Sequence, residues 1–130
     1  KNGYGTGCTY IDLIGKTGIP EYVQLIRGAE LVISGDTSAA HIAAAVRTRS
    51  IAIIGGWHYG RFFPYDTEIG ADKEYFPRVC YQYMSCYQCN RKDVTDQCRL
   101  DEKYTGRWSC ILAVMPEMVI KEVDAMLSDT

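Results

Sequence analysis

The sequence predicts an α/β fold in which helices cover a parallel sheet. In the first half of the chain, three short apolar runs that contain β-branched residues alternate with two segments of helical periodicity. Single helices between such runs are typical of βαβ units, whose strands are parallel and buried. A chain of 130 residues fits one domain, and we place a βαβαβ core in residues 1–66.

The predicted strands are apolar runs that each lead into a loop containing glycine. They are Cys8 to Gly15, Leu31 to Ser34, and Ser50 to Ile54. The carboxyl ends of parallel strands meet at one edge of the sheet, where open α/β sheets bind their ligands. We therefore expect three loops to share that edge: Gly15 to Gly18, Gly35 to Ser38, and Gly55 to Arg61.

The first predicted helix follows the Gly15 to Gly18 loop. Pro20 suits its first turn, and Ile19, Val23 and Ile26 recur at the spacing that gives a helix one apolar face. Gly28 is typical of a C-terminal stop.

The second predicted helix, residues 37–47, begins with an unusual group of polar residues. Asp36, Thr37 and Ser38 are all residue types that cap helices, and His41 lies on the face of Thr37 and Ser38. One interpretation is simple capping, with a packed histidine. The other is an anion-binding site, because backbone N–H groups and the helix dipole at such a terminus attract phosphate.

The second half of the chain is less regular. We assign residues 67–114 to a loop and a cysteine-rich segment, with one further strand at Arg78 to Met84. A C-terminal helix is predicted in residues 115–128, with Pro116 in its first turn. Its apolar stripe consists of Val119, Val123 and Met126.

Six cysteines allow more than one interpretation. Four of them are expected to form one local cluster: Cys86, Cys89, Cys98 and Cys110. The first pair has the C-x2-C spacing of zinc ligands but the second does not, so zinc, disulfides and reduced structural thiols all remain open. The other two, Cys8 and Cys80, lie in predicted strands, where buried packing is expected.

Charge and hydropathy argue against several classes of partner. Fourteen Lys and Arg against sixteen Asp and Glu give a formal charge of -2, which does not favour nucleic acid or an anionic membrane. We find no signal peptide and no apolar run near the ~18 residues of a membrane span, so any membrane contact is expected to be peripheral. Because the first residue is Lys1 rather than Met, we expect the chain to be part of a longer protein.

Two stretches carry a resemblance to a known family. The sequences DLIGKTGIPEYVQLIRGAELVISGDTSAAHIAAAVRTRSIAIIGG and WHYGRFFPYD resemble bacterial glycosyltransferase family 9, which includes the ADP-heptose:lipopolysaccharide heptosyltransferases. The similarity covers nearly the whole chain. It implies a Rossmann-like parallel sheet that is part of the C-terminal, donor-binding domain of a GT-B fold, with a Cys-rich segment and a C-terminal helix added.

The resemblance also implies roles for residues at two of the loops. The family's Asp-Thr-Gly-x-x-His motif, which holds the donor diphosphate, matches Asp36, Thr37, Ser38 and His41, with Ser38 in place of the commoner glycine. The Gly-Lys-Thr loop matches the family's loop beside the nucleoside, which implies nucleoside contacts for Lys16 and Thr17.

The loop after the third predicted strand is a further candidate for donor contacts. Gly55 and Gly56 permit close backbone approach, and His58 and Arg61 can reach a donor phosphate or a sugar hydroxyl. The competing interpretation is a surface loop whose aromatic side chains fold back onto the core.

The function implied is that of the nucleotide-sugar-binding half of an inverting glycosyltransferase in lipopolysaccharide or surface polysaccharide biosynthesis. The donor is ADP-heptose-like, and no cofactor or metal is expected to take part. The catalytic base and the contacts to a lipid-linked or saccharide acceptor belong to the absent N-terminal domain, so we expect the 130-residue chain alone to be inactive.

Nucleotide-sugar chemistry also implies a cytoplasmic location, up to the inner face of the inner membrane. Disulfides are rare there, and four-cysteine segments of this type recur in the family, so reduced or structural thiols are favoured. The alternative from another class is a non-catalytic, Cys-stapled or zinc-binding α/β interaction module.

Overall fold

Three parallel strands form the sheet of this protein. The computed structural model describes residues 7, 9–66, 68, 72–89 and 95–128. The strands are β1 (Val32–Gly35), β2 (Ser50–Ile53) and β3 (Arg78–Cys80), in the order β1-β2-β3. Gly35 pairs with Ile53, and Ile53 pairs with Cys80, so all three strands end at the same level. The prediction of an α/β fold with a parallel sheet is confirmed.

Helices connect and cover the strands. They are α1 (Ile19–Gly28), α2 (Ser38–Ala45), α3 (Asp96–Thr105), α4 (Ser109–Leu112) and α5 (Pro116–Ser128), with a 3-10 turn at Lys73–Tyr75. The helix α2 links β1 to β2, as predicted from the sequence. No helix in the described ranges is both long and apolar enough to cross a membrane.

The core lies on both faces of β2. On one face Ala52 packs with Ala40 of α2. On the other face Ile51 packs with Met126 of α5. Val119 and Val123 pack against this second cluster, which confirms the predicted apolar stripe of the C-terminal helix. The burial of both faces explains why the strand sequence is apolar without alternation.

The predicted first strand is wrong for residues 9–15, which form no strand, and Cys8 lies outside the described residues. Asp12 closes a local turn instead, because its carboxylate accepts a hydrogen bond from the N–H of Ile14 at 2.9 Å. Such local bonds compete with strand pairing. The Lys16 N–H donates to the Leu13 carbonyl in the same turn. The side chain of Ile14 is left 86% exposed.

Two other predictions need correction in detail. The strand predicted at Arg78 to Met84 ends at Cys80. The first predicted helix is confirmed as α1, but Ile19 is exposed, and Ile26 alone of the three residues on the predicted face is buried. Near the end of the helix, Ile26 packs against Ala39 and Ala43 of α2.

The helix α3 was not predicted from the sequence, although both of its ends carry recognisable signals. The Thr95 hydroxyl accepts a hydrogen bond from the Cys98 N–H at 3.2 Å and caps the helix. Gly106 follows the last turn with a φ of 68°, in the left-handed region that glycine adopts most easily. The polar sequence between these two ends lacks a clear apolar stripe, which is why the helix was not predicted.

Packing around Gly56 provides a test of the fold. A Cβ atom at this position would lie 2.8 Å from the Tyr87 ring, so we expect Gly56→Ala to lower the free energy of unfolding by about 1–3 kcal/mol through overpacking. Urea denaturation measures the effect.

The matched control is Gly28→Ala. Nothing lies within 4 Å of a Cβ atom at Gly28, and alanine favours helix, so we expect a change between zero and a gain of about 1 kcal/mol. Equal stability of the wild type and Gly56→Ala would contradict the packing described here.

Candidate functional site

The carboxyl edge of the sheet brings two chain segments together. Asp36 follows β1 directly, and the residues after Ile53 leave β2 at the same level because Gly35 and Ile53 are register partners. The loop after β2, residues 54–66, carries His58 and Arg61. Ligands of open α/β sheets bind at this edge, so its side chains are the first candidates for function.

Capping does not explain the polar residues at the start of α2. Thr37 occupies the N-cap position with extended backbone angles, yet its side chain makes no capping hydrogen bond within the described residues. The Thr37 N–H donates to the Gly35 carbonyl at 2.9 Å. Thr37 and Ser38 are both exposed. The first turn of α2 therefore presents backbone N–H groups without a side-chain cap at the edge of the sheet.

Asp36 bonds to the neighbouring loop rather than to its own helix. Its Oδ2 lies 3.0 Å from Nδ1 of His58, and the two side chains are 14% and 36% exposed. A carboxylate accepts hydrogen bonds, so His58 donates through Nδ1. The bond becomes an ion pair when the imidazole is protonated. Two predicted site residues, 22 positions apart in sequence, are thus in direct contact.

His41 is packed within an aromatic stack. Its ring lies parallel to Phe63 and Tyr65, with centroid distances of 4.7 and 5.6 Å, and its Nδ1 is hydrogen-bonded to the Tyr65 hydroxyl. Burial raises the pKa of Tyr65, so the phenol stays protonated and can donate to Nδ1. In that arrangement Nε2 of His41 carries the ring hydrogen.

Phe62 contacts three of the predicted site residues, which are His41, His58 and Arg61. The His58 ring meets it edge-on at 5.0 Å and the His41 ring at 6.5 Å. The Arg61 guanidinium lies 5.0 Å from the centre of the same ring. Phe62 is 42% exposed, whereas its neighbour Phe63 is buried. The loop therefore folds back onto the core through Phe63, while Phe62 stays at the surface between the two histidines.

Gly55 and Gly56 are buried by other parts of the chain. A Cβ atom at Gly55 would lie 3.0 Å from the Cys110 sulfur, and one at Gly56 would meet the Tyr87 ring. The close approach predicted for these glycines is thus made by protein atoms in the structure. Burial is the largest of the effects that raise the pKa of Tyr87, to about 12.

Lys16 lies in the turn formed by residues 12–16, and Thr17 follows this turn directly. The Lys16 ammonium donates to the Asp12 carbonyl at 2.9 Å. Thr17 lines an open apolar cavity of about 430 Å3 together with Ile11, Ile14 and Tyr22. Because residues 9–15 form no strand, this turn is not held at the sheet edge by strand pairing as the sequence analysis assumed.

The cysteines of the described segment are free thiols. These are Cys80, Cys86, Cys89, Cys98 and Cys110. Within the described ranges no group of three or more His, Cys, Asp or Glu side chains is arranged to hold a metal ion. Cys80 is buried in β3, as the sequence analysis expected.

The pKa values of two of these thiols are shifted in opposite directions. Burial and the nearby Glu122 carboxylate raise the pKa of Cys80. Burial acts on Cys98 in the same direction, but hydrogen bonds from Thr95 and Ser109 outweigh it and lower the pKa of Cys98. The Thr95 hydroxyl lies 3.2 Å from the Cys98 sulfur, so it can donate to a thiolate there.

We expect Cys98 to be alkylated faster than Cys80 by iodoacetamide at about pH 8, because its thiolate fraction is larger and it is more accessible. Peptide mapping by mass spectrometry after short labelling times measures both rates in one sample, so Cys80 is the internal control. The ratio of the two rates should fall as the pH rises above the pKa of Cys98. Equal alkylation rates of Cys98 and Cys80 at about pH 8 would contradict the lowered pKa of Cys98.

The stacked position of His41 predicts a loss of stability on truncation. We expect His41→Ala to lower the free energy of unfolding by about 1–3 kcal/mol, because it removes the stacking and the hydrogen bond to Tyr65. Tyr65→Phe keeps the ring and removes only the hydroxyl, so its expected cost is about 0.5–1.5 kcal/mol. Thermal denaturation measures both losses of stability. If Tyr65→Phe cost as much stability as His41→Ala, the hydrogen bond would account for the whole effect, which would contradict the role given to stacking.

Comparison with known proteins identifies the family. The sequence model of glycosyltransferase family 9 (heptosyltransferase) matches residues 4–88. The match includes the whole sheet, α1, α2 and the loop that carries His58. Searches of curated proteins and of solved structures find no match. Since the matched span exceeds half of the 130 residues, the chain belongs to glycosyltransferase family 9.

Proposed function

We propose that this chain binds the nucleotide-sugar donor of an inverting glycosyltransferase of lipopolysaccharide or surface-polysaccharide biosynthesis. The donor we assign is ADP-heptose-like. One observation carries the proposal: no side chain caps the N–H groups in the first turn of α2, which lies at the carboxyl edge of the sheet. Asp36 and Thr37 are of the right type to cap them, but Asp36 bonds to His58 instead and Thr37 makes no capping bond. Membership of family 9 supports the choice of a glycosyl donor.

A diphosphate suits this turn electrostatically. The aligned peptide dipoles of an eight-residue helix favour negative charge at its N-terminus, and the free N–H groups donate hydrogen bonds to phosphate oxygens. The exposed hydroxyls of Thr37 and Ser38 supply further donors. When the glycosidic bond to the diphosphate breaks, negative charge increases on the leaving group, so these fixed donors lower the barrier without a metal.

Side chains around Phe62 extend the same anion site. With the Tyr65 phenol as donor to Nδ1, His41 offers Nε2–H to a phosphate without needing to be charged. Arg61 is exposed beside Phe62 and adds a cation that can pair with phosphate. We therefore assign the diphosphate to the space in front of α2, bordered by these groups.

We assign the nucleoside to the turn that carries Lys16 and Thr17. The apolar cavity beside Thr17, about 430 Å3 in volume, has the size and the lining that suit a base. The acceptor, lipid-linked or a saccharide, and the base that deprotonates it are assigned to an N-terminal domain. On this proposal the 130-residue chain binds the donor but transfers no sugar, and it acts in the cytoplasm, with at most peripheral contact to the inner membrane.

The binding of ADP tests the proposal. Titration calorimetry with the 130-residue chain should show binding of ADP and much weaker binding of adenosine, because the diphosphate supplies most of the contacts. Equal affinities for ADP and adenosine, or no binding of either, would overturn the assignment of the diphosphate to α2.

Two variants at one position test the backbone contact itself. Ser38 is the first residue of α2, where proline is compatible with a helix, and Thr37 has the extended conformation that precedes proline. Ser38→Pro removes both the N–H and the hydroxyl, whereas Ser38→Ala removes only the hydroxyl. We expect Ser38→Pro to weaken ADP binding about tenfold or more relative to Ser38→Ala. Similar affinities would show that the N–H makes no contact.

A further inference from the structure

We propose that Nε2 of His58 donates a hydrogen bond to the leaving diphosphate, and that Asp36 is the positioning residue that orients His58 rather than a ligand of the donor. The inference deepens the proposed function and rests on it. Its basis is the 3.0 Å bond between Asp36 and His58 at the edge of the sheet.

The charge of Asp36 is the first argument. A carboxylate at the N-terminus of α2 repels a diphosphate and competes with it for the helix dipole. In the proposed complex the bond to His58 relieves this conflict, because a ring that donates from both nitrogens carries a positive charge that balances the carboxylate. The N–H groups of α2 then stay free for the donor. Only 14% of the Asp36 side chain is exposed, so the carboxylate has little surface with which to contact a ligand directly.

The two nitrogens of His58 are the second argument. Because Asp36 takes the hydrogen on Nδ1, the remaining nitrogen for a ligand is Nε2. Only the imidazolium form donates from both ring nitrogens at once, so the proposed contact uses His58 in that form. His58 is 36% exposed, which leaves part of the ring open to a ligand.

Aromatic contacts limit how the ring can turn. Trp57 meets the His58 ring edge-on at 5.8 Å, and Phe62 meets it at 5.0 Å with an interplanar angle of 90°. With Nδ1 bonded and two neighbouring rings in place, His58 has one preferred orientation. A donor held in a fixed place stabilises a developing charge better than a mobile one.

Two variants of similar shape test the roles of Nδ1 and Nε2 of His58 separately. In His58→Asn the amide nitrogen replaces Nδ1, keeping the bond to Asp36 and removing Nε2. In His58→Gln the amide nitrogen replaces Nε2 and the bond to Asp36 is lost. Titration with ADP should show affinity falling about tenfold or more in His58→Asn, and a smaller loss in His58→Gln.

A double-mutant cycle tests the positioning role of Asp36. Asp36→Asn keeps the shape of the side chain and removes its charge. We expect it to weaken ADP binding in the wild-type background and to cause no further weakening in the His58→Asn background, because a positioning residue supports binding only through the group it positions. Thermal denaturation of each variant establishes that the fold is retained.

Each outcome decides one point. Unchanged ADP affinity in His58→Asn would overturn the contact from Nε2. An equal effect of Asp36→Asn in both backgrounds would show that Asp36 acts on the donor independently, which overturns the positioning role. A wild-type chain that binds no ADP would overturn the proposed function, and this inference with it, whereas binding that survives every substitution would overturn this inference alone.

Discussion

The close approach of α2 to the sheet is the constraint on which the rest of the site depends. Ala39, Ala40 and Ala43 are buried between this helix and its neighbours, and their small side chains allow the helix backbone to lie close to β1 and β2. The first turn of α2 is thereby held level with the ends of the strands. A larger side chain at Ala40, which is fully buried, would shift that turn without altering any residue of the candidate site itself.

The site combines one acidic group with several donors, and the structure explains how these coexist. Asp36 is bonded to a histidine from the next loop rather than capping its own helix. His41 is bonded to a phenol instead of a carboxylate. The two histidines therefore differ in character although both contact Phe62. One ring is bonded to a carboxylate, and the other is stacked on two aromatic rings.

Local signals in the sequence predicted most of the fold but little of the site geometry. The parallel sheet and α2 follow from short apolar runs and their spacing. The strand prediction at residues 9–15 failed because Asp12 forms a turn, an interaction that hydropathy does not register. The bond between Asp36 and His58 was not predicted, although both were candidates, because it depends on the path of a long loop. That path is anchored by Phe63, which is 1% exposed.

The glycine pair after β2 ties the loop at the sheet edge to the cysteine-rich segment. Cys110 and Tyr87 occupy the space that side chains at Gly55 and Gly56 would fill, and the Gln88 N–H donates to the Gly56 carbonyl at 2.7 Å. The two segments are therefore packed together as one structural unit. A chimaera that takes the loop from one protein and the cysteine-rich segment from another would join surfaces that are not complementary, even if both parts fold correctly in their own chains.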